Sequence, residues 1–423
     1  MDYSDSGLYD RNMKNLCEMD LSDMSNMKKM SSMTLDEKDR NYGSSKLSWH
    51  TEETLTHREP EMTIPLVSPG IEVTKCIKND GSCIPLRKLG CFEIPAIITG
   101  MHQVTGAHRP IDIEKSVHDM KLYAFAGLGV FDVADTYGPA EDIYGRFYDE
   151  YWGRRPVLGF TKFDPGYGNT GADTRLVVEA IIDRSRNRMR VATLDMVQFH
   201  WWDYSDERYC VSVKWLHTLQ QEGKIKELGL TNFDTEHMAK IVEDCGIRAV
   251  SNQVSDSPSP SSQAVTYSVI DTRPEKKMIA WCLQHDVKLL AYGTLMGGLL
   301  SEKYLGQPEP LRTDPINTPS ISKYKYIINA WGGWALFQEL LLVLSMIAKK
   351  HRISISNVAV RYIADKPAVA AVIVGARLGA SQHIASNQAI YSFPGLDEGD
   401  IDLIHSIVKK GSELHGDPGD EFR

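Results

Sequence analysis

The chain has no apolar run long enough to cross a bilayer, which takes roughly 20 residues. The best candidate, Leu336 to Ile347, stops short and contains Gln338 and Glu339. It also has no excess of positive charge. Its 47 Lys and Arg stand against 56 Asp and Glu, a net charge of −9 with a pI near 5.8. That balance argues against a nucleic-acid surface or a polybasic membrane contact, while leaving room for a local basic pocket. Cysteine is sparse and scattered: Cys17, Cys76, Cys83, Cys91, Cys210, Cys245 and Cys282. No CxxC pair is among them and no ligand cluster has zinc spacing, so neither a redox motif nor a metal site is expected. Seven unpaired thiols in a reducing compartment are the expectation. The N-terminal stretch lacks both the apolar core of a signal peptide and the Arg-rich, acid-poor character of a transit peptide. It carries Asp2, Asp5, Asp10, Glu18, Asp20 and Asp23 instead, which points to the cytoplasm. Finally, no Gly-x-Gly-x-x-Gly turn follows the first strand-like run, which argues against a doubly wound dinucleotide-binding sheet.

What is present is rhythm. Residues 1–75, rich in Met, Ser, Asp and Lys without periodicity, read as a disordered extension; residues 76–423 read as the folded domain. In that domain short apolar runs at Ala96–Thr99, Val130–Asp132, Val157–Thr161, Met196–His200, Leu228–Thr231, Val250–Val254, Leu289–Tyr292 and Ala371–Val374 read as strands. Helix-like stretches alternate with them: Ile113–Phe125, Thr174–Arg188, Glu207–Gln221, Thr235–Asp244, Lys276–His285 and Trp334–His351, with Asp206 and Asp234 as N-caps. Eight strand–helix units imply an α/β fold closed as a (β/α)8 TIM barrel. Two segments interrupt the rhythm, the Pro/Ser run Ser255–Ser262 and the stretch Tyr304–Gly333, which reads as a long loop at the catalytic face.

The ends of successive strand-like runs carry Asp132 and Tyr137 (in Asp132-Val133-Ala134-Asp135-Thr136-Tyr137-Gly138), Lys162, and His200. A carbonyl reductase needs a proton for oxygen as well as a hydride for carbon. A tyrosine hydroxyl is a slow acid at neutral pH because its ordinary pKa is near 10. A neighbouring ammonium stabilises the phenolate, an aspartate keeps the ammonium charged and placed, and a histidine orients the carbonyl oxygen. Tyr137, Lys162, Asp132 and His200 fit those four roles in turn.

These motifs, in this order and spacing, resemble those of the aldo-keto reductase family, whose catalytic tetrad is Asp, Tyr, Lys and His. The resemblance continues over most of residues 95–423 and implies a nicotinamide cofactor. Leu228-Gly229-Leu230-Thr231-Asn232-Phe233 and Ser251-Asn252-Gln253 match family stretches whose side chains hold the nicotinamide carboxamide, which assigns Thr231, Asn232 and Gln253. Tyr292 falls on the residue that stacks against the nicotinamide ring. Gly293, Thr294, Leu295 and Gly297 fall on the loop around the pyrophosphate. Arg377, His383 and Asn387 fall in the region that holds the adenosine 2′-phosphate and the adenine, so the resemblance implies NADP (NADPH), with NAD as the alternative.

The pattern departs from the family in several places. His102 stands in a substrate-facing position usually held by an aromatic. Gly293 replaces a serine. His383 and Ser386 replace two of the usual nucleotide contacts, and about a dozen residues (255–266) are inserted beside Gln253. Apolar walls are assigned to Trp201, Trp202, Trp331 and Trp334, which favours aldehydes or ketones with apolar bodies. The polar tail, residues 416–423, is not expected to cover such a substrate. The expected partner is a small-molecule carbonyl compound, with no nucleic acid and no membrane; the oligomeric state is not given by the sequence. The alternative readings are a cofactor-sensing regulatory subunit with slow turnover, or a barrel whose nicotinamide end the insertion blocks.

Overall fold

The computed structural model describes residues 73–79, 82–105, 111–153, 155–166, 172–254, 267–311 and 319–417. The expected extension before residue 73, the insertion at 255–266 and the last six residues lie outside them.

Eight parallel strands close into a barrel: β4 (Ile97–Gly100), β5 (Val130–Asp132), β6 (Leu158–Phe163), β7 (Leu194–Phe199), β8 (Ile225–Thr231), β9 (Ser251–Val254), β10 (Lys288–Tyr292) and β11 (Val369–Gly375), with β11 returning to β4. All eight sit where the apolar runs place them. Helices follow the strands as crossovers: α1 (Ile113–Phe125), α2 (Ala140–Glu150), α3 (Arg175–Met189), α4 (Tyr209–Gln221), α5 (Thr235–Ala239) and α6 (Met278–His285). After β10 come α7 (Pro319–Trp331), α8 (Gly333–His351) and α9 (Ile355–Ala364); after β11 come α10 (Ile384–Ala389) and α11 (Glu398–Val408). Asp234 caps α5, accepting from the His237 N–H at 2.7 Å. Asp206 does not cap α4. It lies two residues before the N-cap Arg208 and binds that residue's backbone N–H and guanidinium instead.

Three further differences have physical causes. An antiparallel sheet, β1 (Val73–Asn79), β2 (Ser82–Leu89) and β3 (Phe92–Pro95), precedes the barrel, and β1 starts three residues ahead of the expected boundary. Its Leu89, Phe92 and Ile94 join Ile98, Val130, Phe160, Met196 and Leu290 in one apolar cluster, which fills the barrel from its N-terminal mouth. The β1–β2 pairing brings the Cα atoms of Cys76 and Cys83 to 5.4 Å, within disulfide range, and the two are bonded. The expectation of seven free thiols is corrected on this pair; Cys91, Cys210, Cys245 and Cys282 are free. The supposed long loop contains α7, because proline is tolerated in a helix's first turn, and Ile321, Tyr324, Ile328 and Trp331 bury a common stripe. No single helix among the described residues is long and apolar enough to cross a membrane.

Candidate active site

Side chains alternate in and out along a strand. On β5 this aims Val130 and Asp132 into the barrel, on β6 Phe160 and Lys162, and on β7 Met196 and Gln198, with His200 next in the same alternation. The lower members of each pair belong to the apolar interior cluster. The upper members form a polar layer at the C-terminal mouth, where barrel enzymes keep their chemistry.

Asp132 is the centre of that layer. Its Oδ1 accepts from Lys162 Nζ at 2.8 Å, Gln198 Nε2 at 3.0 Å and Gln253 Nε2 at 2.7 Å. Lys162 also donates to the Val133 carbonyl at 3.0 Å. Both ions of the pair have side chains only 6% exposed, so they are held almost free of water. Burial brings the Lys162 ammonium below the ordinary lysine range, against the pull of Asp132, Asp135 and Asp164.

Tyr137 comes from the turn between β5 and α2, closed by its N–H to the Ala134 carbonyl and by the Ala140 N–H to its own carbonyl. Its ring lies under Lys162 Nζ, 4.7 Å from the centroid, and His102 meets it edge-on with centroids 5.0 Å apart. Here the expectation of a lowered tyrosine pKa is corrected. Burial first, then the carboxylates of Asp132, Asp164 and Asp135, push the Tyr137 phenol well above its usual range. Three acids crowd this tyrosine, while Lys162 turns both its hydrogen bonds elsewhere.

His200 is 3% exposed, and its Nδ1 lies 3.6 Å from Asp164 Oδ2. The structure therefore brings Asp132, Tyr137, Lys162, His200 and His102 to one mouth. Trp201 does not join them. It is 5% exposed, donates to the Asp203 and Asp206 carbonyls, and packs on Phe199 and Tyr209. Its neighbour Trp202 is the one at the site, edge-on to His200 at 4.6 Å and donating to Asp164 Oδ1 at 2.6 Å. Trp331 and Trp334 also lie elsewhere. Trp331 donates to the Val408 carbonyl of α11, and Trp334 donates to the Gln307 carbonyl and packs on Phe337.

Residues assigned to the cofactor line the other half of the mouth. Thr231 Oγ1 lies 3.4 Å from Gln253 Oε1, and Asn232 adopts φ +63°, a left-handed conformation that asparagine tolerates better than most residues. Gln253 already spends its amide nitrogen on Asp132. Tyr292 ends β10, half-buried over the interior cluster. In the loop after it, Thr294 is buried and Leu295 half-buried, and the N–H groups of Met296, Gly298, Leu299 and Leu300 bond within the loop. Gly297 and Gly298 take φ +67° and +93°; a Cβ on Gly297 would come within 2.9 Å of Tyr324, whereas one on Gly298 would meet nothing within 4 Å. That open backbone fits the close approach of a phosphate. Arg377 is exposed just past β11, without a carboxylate partner among the described residues, whereas Asn387 is buried in α10. His383 donates its backbone N–H to Tyr123 Oη, and its ring lies 3.4 Å from Ser381 Oγ.

Sequence reasoning missed two polar residues. Gln198 and Asp164 each sit two positions from a recognised residue, His200 and Lys162, in the alternation that runs off the ends of β7 (Leu194–Phe199) and β6 (Leu158–Phe163). That period of two was the signal available.

The closed parallel barrel thus carries a buried lysine–aspartate pair, a tyrosine and a histidine at its C-terminal mouth. The model of the aldo/keto reductase family matches residues 96–409, three-quarters of the chain, and the chain belongs to that family. Among curated proteins, the aldo-keto reductase YhdN of Bacillus subtilis is 25% identical over 308 residues, covering 69% of this chain and 84% of that protein. The flagellar radial spoke protein 5 of Chlamydomonas reinhardtii is 29% identical over 190 residues; the match spans 41% of this chain and only 33% of that protein's length. The fold matches the glycerol dehydrogenase AKR11B4 from Gluconobacter oxydans at a TM-score of 0.60 and 21% identity, over 78% of this chain and 97% of that one. It also matches an aldo/keto reductase from Klebsiella pneumoniae in complex with NADP and acetate, at 0.53 and 20% identity, over 75% and 92%.

Proposed function

We propose that the protein is an NADP-dependent oxidoreductase that reduces aldehydes or ketones to alcohols, or runs the reverse reaction, with Tyr137 as general acid. The observation that carries this reading is the buried Lys162–Asp132 pair at 2.8 Å directly against the ring of Tyr137, with His200 at the same mouth. A bound nicotinamide would supply the hydride to the carbonyl carbon. Tyr137 Oη then delivers the proton to the carbonyl oxygen, and that oxygen is held meanwhile by His200. Because burial, and after it the surrounding acids, hold Tyr137 in its protonated form, it is an acid that is always loaded but costly to ionise. The positive charge of Lys162 beside the ring offsets that cost as the proton leaves.

Thr231, Asn232 and Gln253 would hold the carboxamide and Tyr292 the ring face. The 293–298 loop would receive the pyrophosphate, and Arg377, whose planar fork suits a phosphate, would receive the 2′-phosphate. Gln253 must then share its amide between Asp132 and the cofactor, or exchange one for the other. Titration with NADPH and NADH by tryptophan quenching, followed by a panel of aldehydes and ketones read at the NADPH absorbance, tests the reading. Tight binding without turnover on any carbonyl would overturn it.

A second reading is favoured by the radial spoke relative: a barrel that binds the nucleotide and serves as a subunit of a larger assembly. It predicts nucleotide binding with slow turnover, together with a stable complex. The complete set of Asp132, Tyr137, Lys162 and His200 weighs against a purely structural role.

A further inference from the structure

The carboxylate of Asp164 has no role in the chemistry above, yet it faces the histidine of the site. The register Lys162↔Gln198 and Phe163↔Phe199 between β6 and β7 continues for one more step, with the His200 N–H bonded to the Phe163 carbonyl at 3.0 Å. Asp164 therefore follows Phe163 on the face of Lys162, and it meets His200 across the strand gap at 3.6 Å. Its other oxygen is pinned by Trp202 Nε1 at 2.6 Å and the Gly166 N–H at 3.0 Å. Trp202 in turn packs edge-on against the His200 ring, so the indole fixes both partners.

We propose that Asp164 is the positioning residue of His200, binding its Nδ1–H so that the opposite ring nitrogen, Nε2, is aimed at the carbonyl oxygen. The proposal rests on the reductase reading for the identity of that oxygen, but the Asp164–His200 couple can be tested without turnover.

The surroundings suit an anion at Asp164 and not at its neighbour. Facing the couple are Lys162, Asp132 and Tyr137 from the polar layer, and Asp135 from the β5 turn, with Glu141 and Arg184 behind Asp135. Burial raises Asp164, but the neighbouring His200 and the hydrogen bonds from Trp202 and Gly166 outweigh it and hold the carboxyl below the usual range. Asp135 moves the other way, pushed up to about 8 by burial and then by Asp164 and Glu141, with Arg184 offsetting only part. Its side chain is 2% exposed, and its Oδ1 has no hydrogen-bond partner among the described residues. Two carboxyls whose environments drive them apart divide the work, one neutral and one charged. The charged one is the one against His200.

The test uses the full-length protein with 15N-labelled histidine, the His200 signals being identified by their loss in His200→Gln. In the wild type the neutral ring should be the Nδ1–H tautomer, and Asp164→Asn should lower the His200 titration midpoint by roughly one to three pH units. In the same variant kcat should lose its alkaline limb at correspondingly lower pH while NADPH affinity stays unchanged. A neutral wild-type ring in the Nε2–H tautomer overturns the proposal even if the variant does not fold, and so does an unmoved midpoint in a folded variant. A wild type that binds NADPH but reduces no carbonyl defeats the reductase reading alone and leaves the imidazole result to stand or fall separately.

Discussion

The ammonium of Lys162 lies over the face of the Tyr137 ring, 4.7 Å from its centroid, while its hydrogen bonds go to Asp132 and the Val133 carbonyl. The lysine thus serves first to neutralise a buried aspartate and only second to attract electron density on the tyrosine. Removing each member of this stack has a different expected signature.

Lys162→Met should destabilise the fold as well as abolish turnover. It leaves Asp132 buried with only the Gln198 and Gln253 amides, and breaking a buried pair by removing one partner costs about 3–5 kcal/mol. The double variant Lys162→Met with Asp132→Asn should recover much of that loss in urea denaturation while remaining inactive. Equal stability of the single variant and the wild type would mean that the pair is not desolvated.

Asp135 makes stability depend on pH. Its folded pKa of about 8 lies above the ordinary value of 3.8, so between those values the unfolded chain is ionised while the folded one keeps its proton. The folded state then binds more protons, and stability falls as pH rises through that window, by up to about 1.4 kcal/mol per pH unit. Asp135→Asn cannot ionise. Its melting temperature relative to wild type should rise from pH 5 to pH 8 and level off above; a constant difference would show that Asp135 is ionised in the fold.

The Cys76–Cys83 bond closes a short loop with a sequence separation of 7. Replacing both by serine should cost roughly 2–3 kcal/mol by loop-closure entropy. It should leave turnover untouched, because the hairpin sits on the sheet that closes the opposite mouth of the barrel. A change in KM would place the hairpin in communication with the site.

Arg377→Ala should weaken NADPH by about tenfold or more, the scale of a hydrogen bond to a charged group, and leave NADH unchanged. Equal losses for both nucleotides would remove Arg377 from the 2′-phosphate.

The barrel strands were legible because each is a short apolar run at a regular interval, and the tetrad residues fall at their ends. The N-terminal hairpin sheet was not, because its strands mix Lys, Asn and Pro with the apolar residues that fill the barrel mouth. α7 was hidden by composition: Pro319 and Asn329 read as loop, while its helical stripe of Ile321, Tyr324, Ile328 and Trp331 carries the packing. Tryptophans were assigned to the pocket by type. Only three-dimensional packing separates Trp202, bonded to Asp164, from Trp201, sealed in the core one residue earlier. The pKa of Tyr137 was misjudged because sequence places Lys162 near it but does not reveal that the phenol is buried, nor that Asp164 and Asp135 act on it beside Asp132.

The most direct measurement is single-turnover oxidation of pre-bound NADPH by excess aldehyde, in the wild type and in Tyr137→Phe. The account predicts equal nucleotide binding in both and a rate slower by about 10²–10⁴ in the variant, the range of general acid catalysis. Equal rates in the two proteins, or no oxidation by a wild type that holds NADPH, would contradict it.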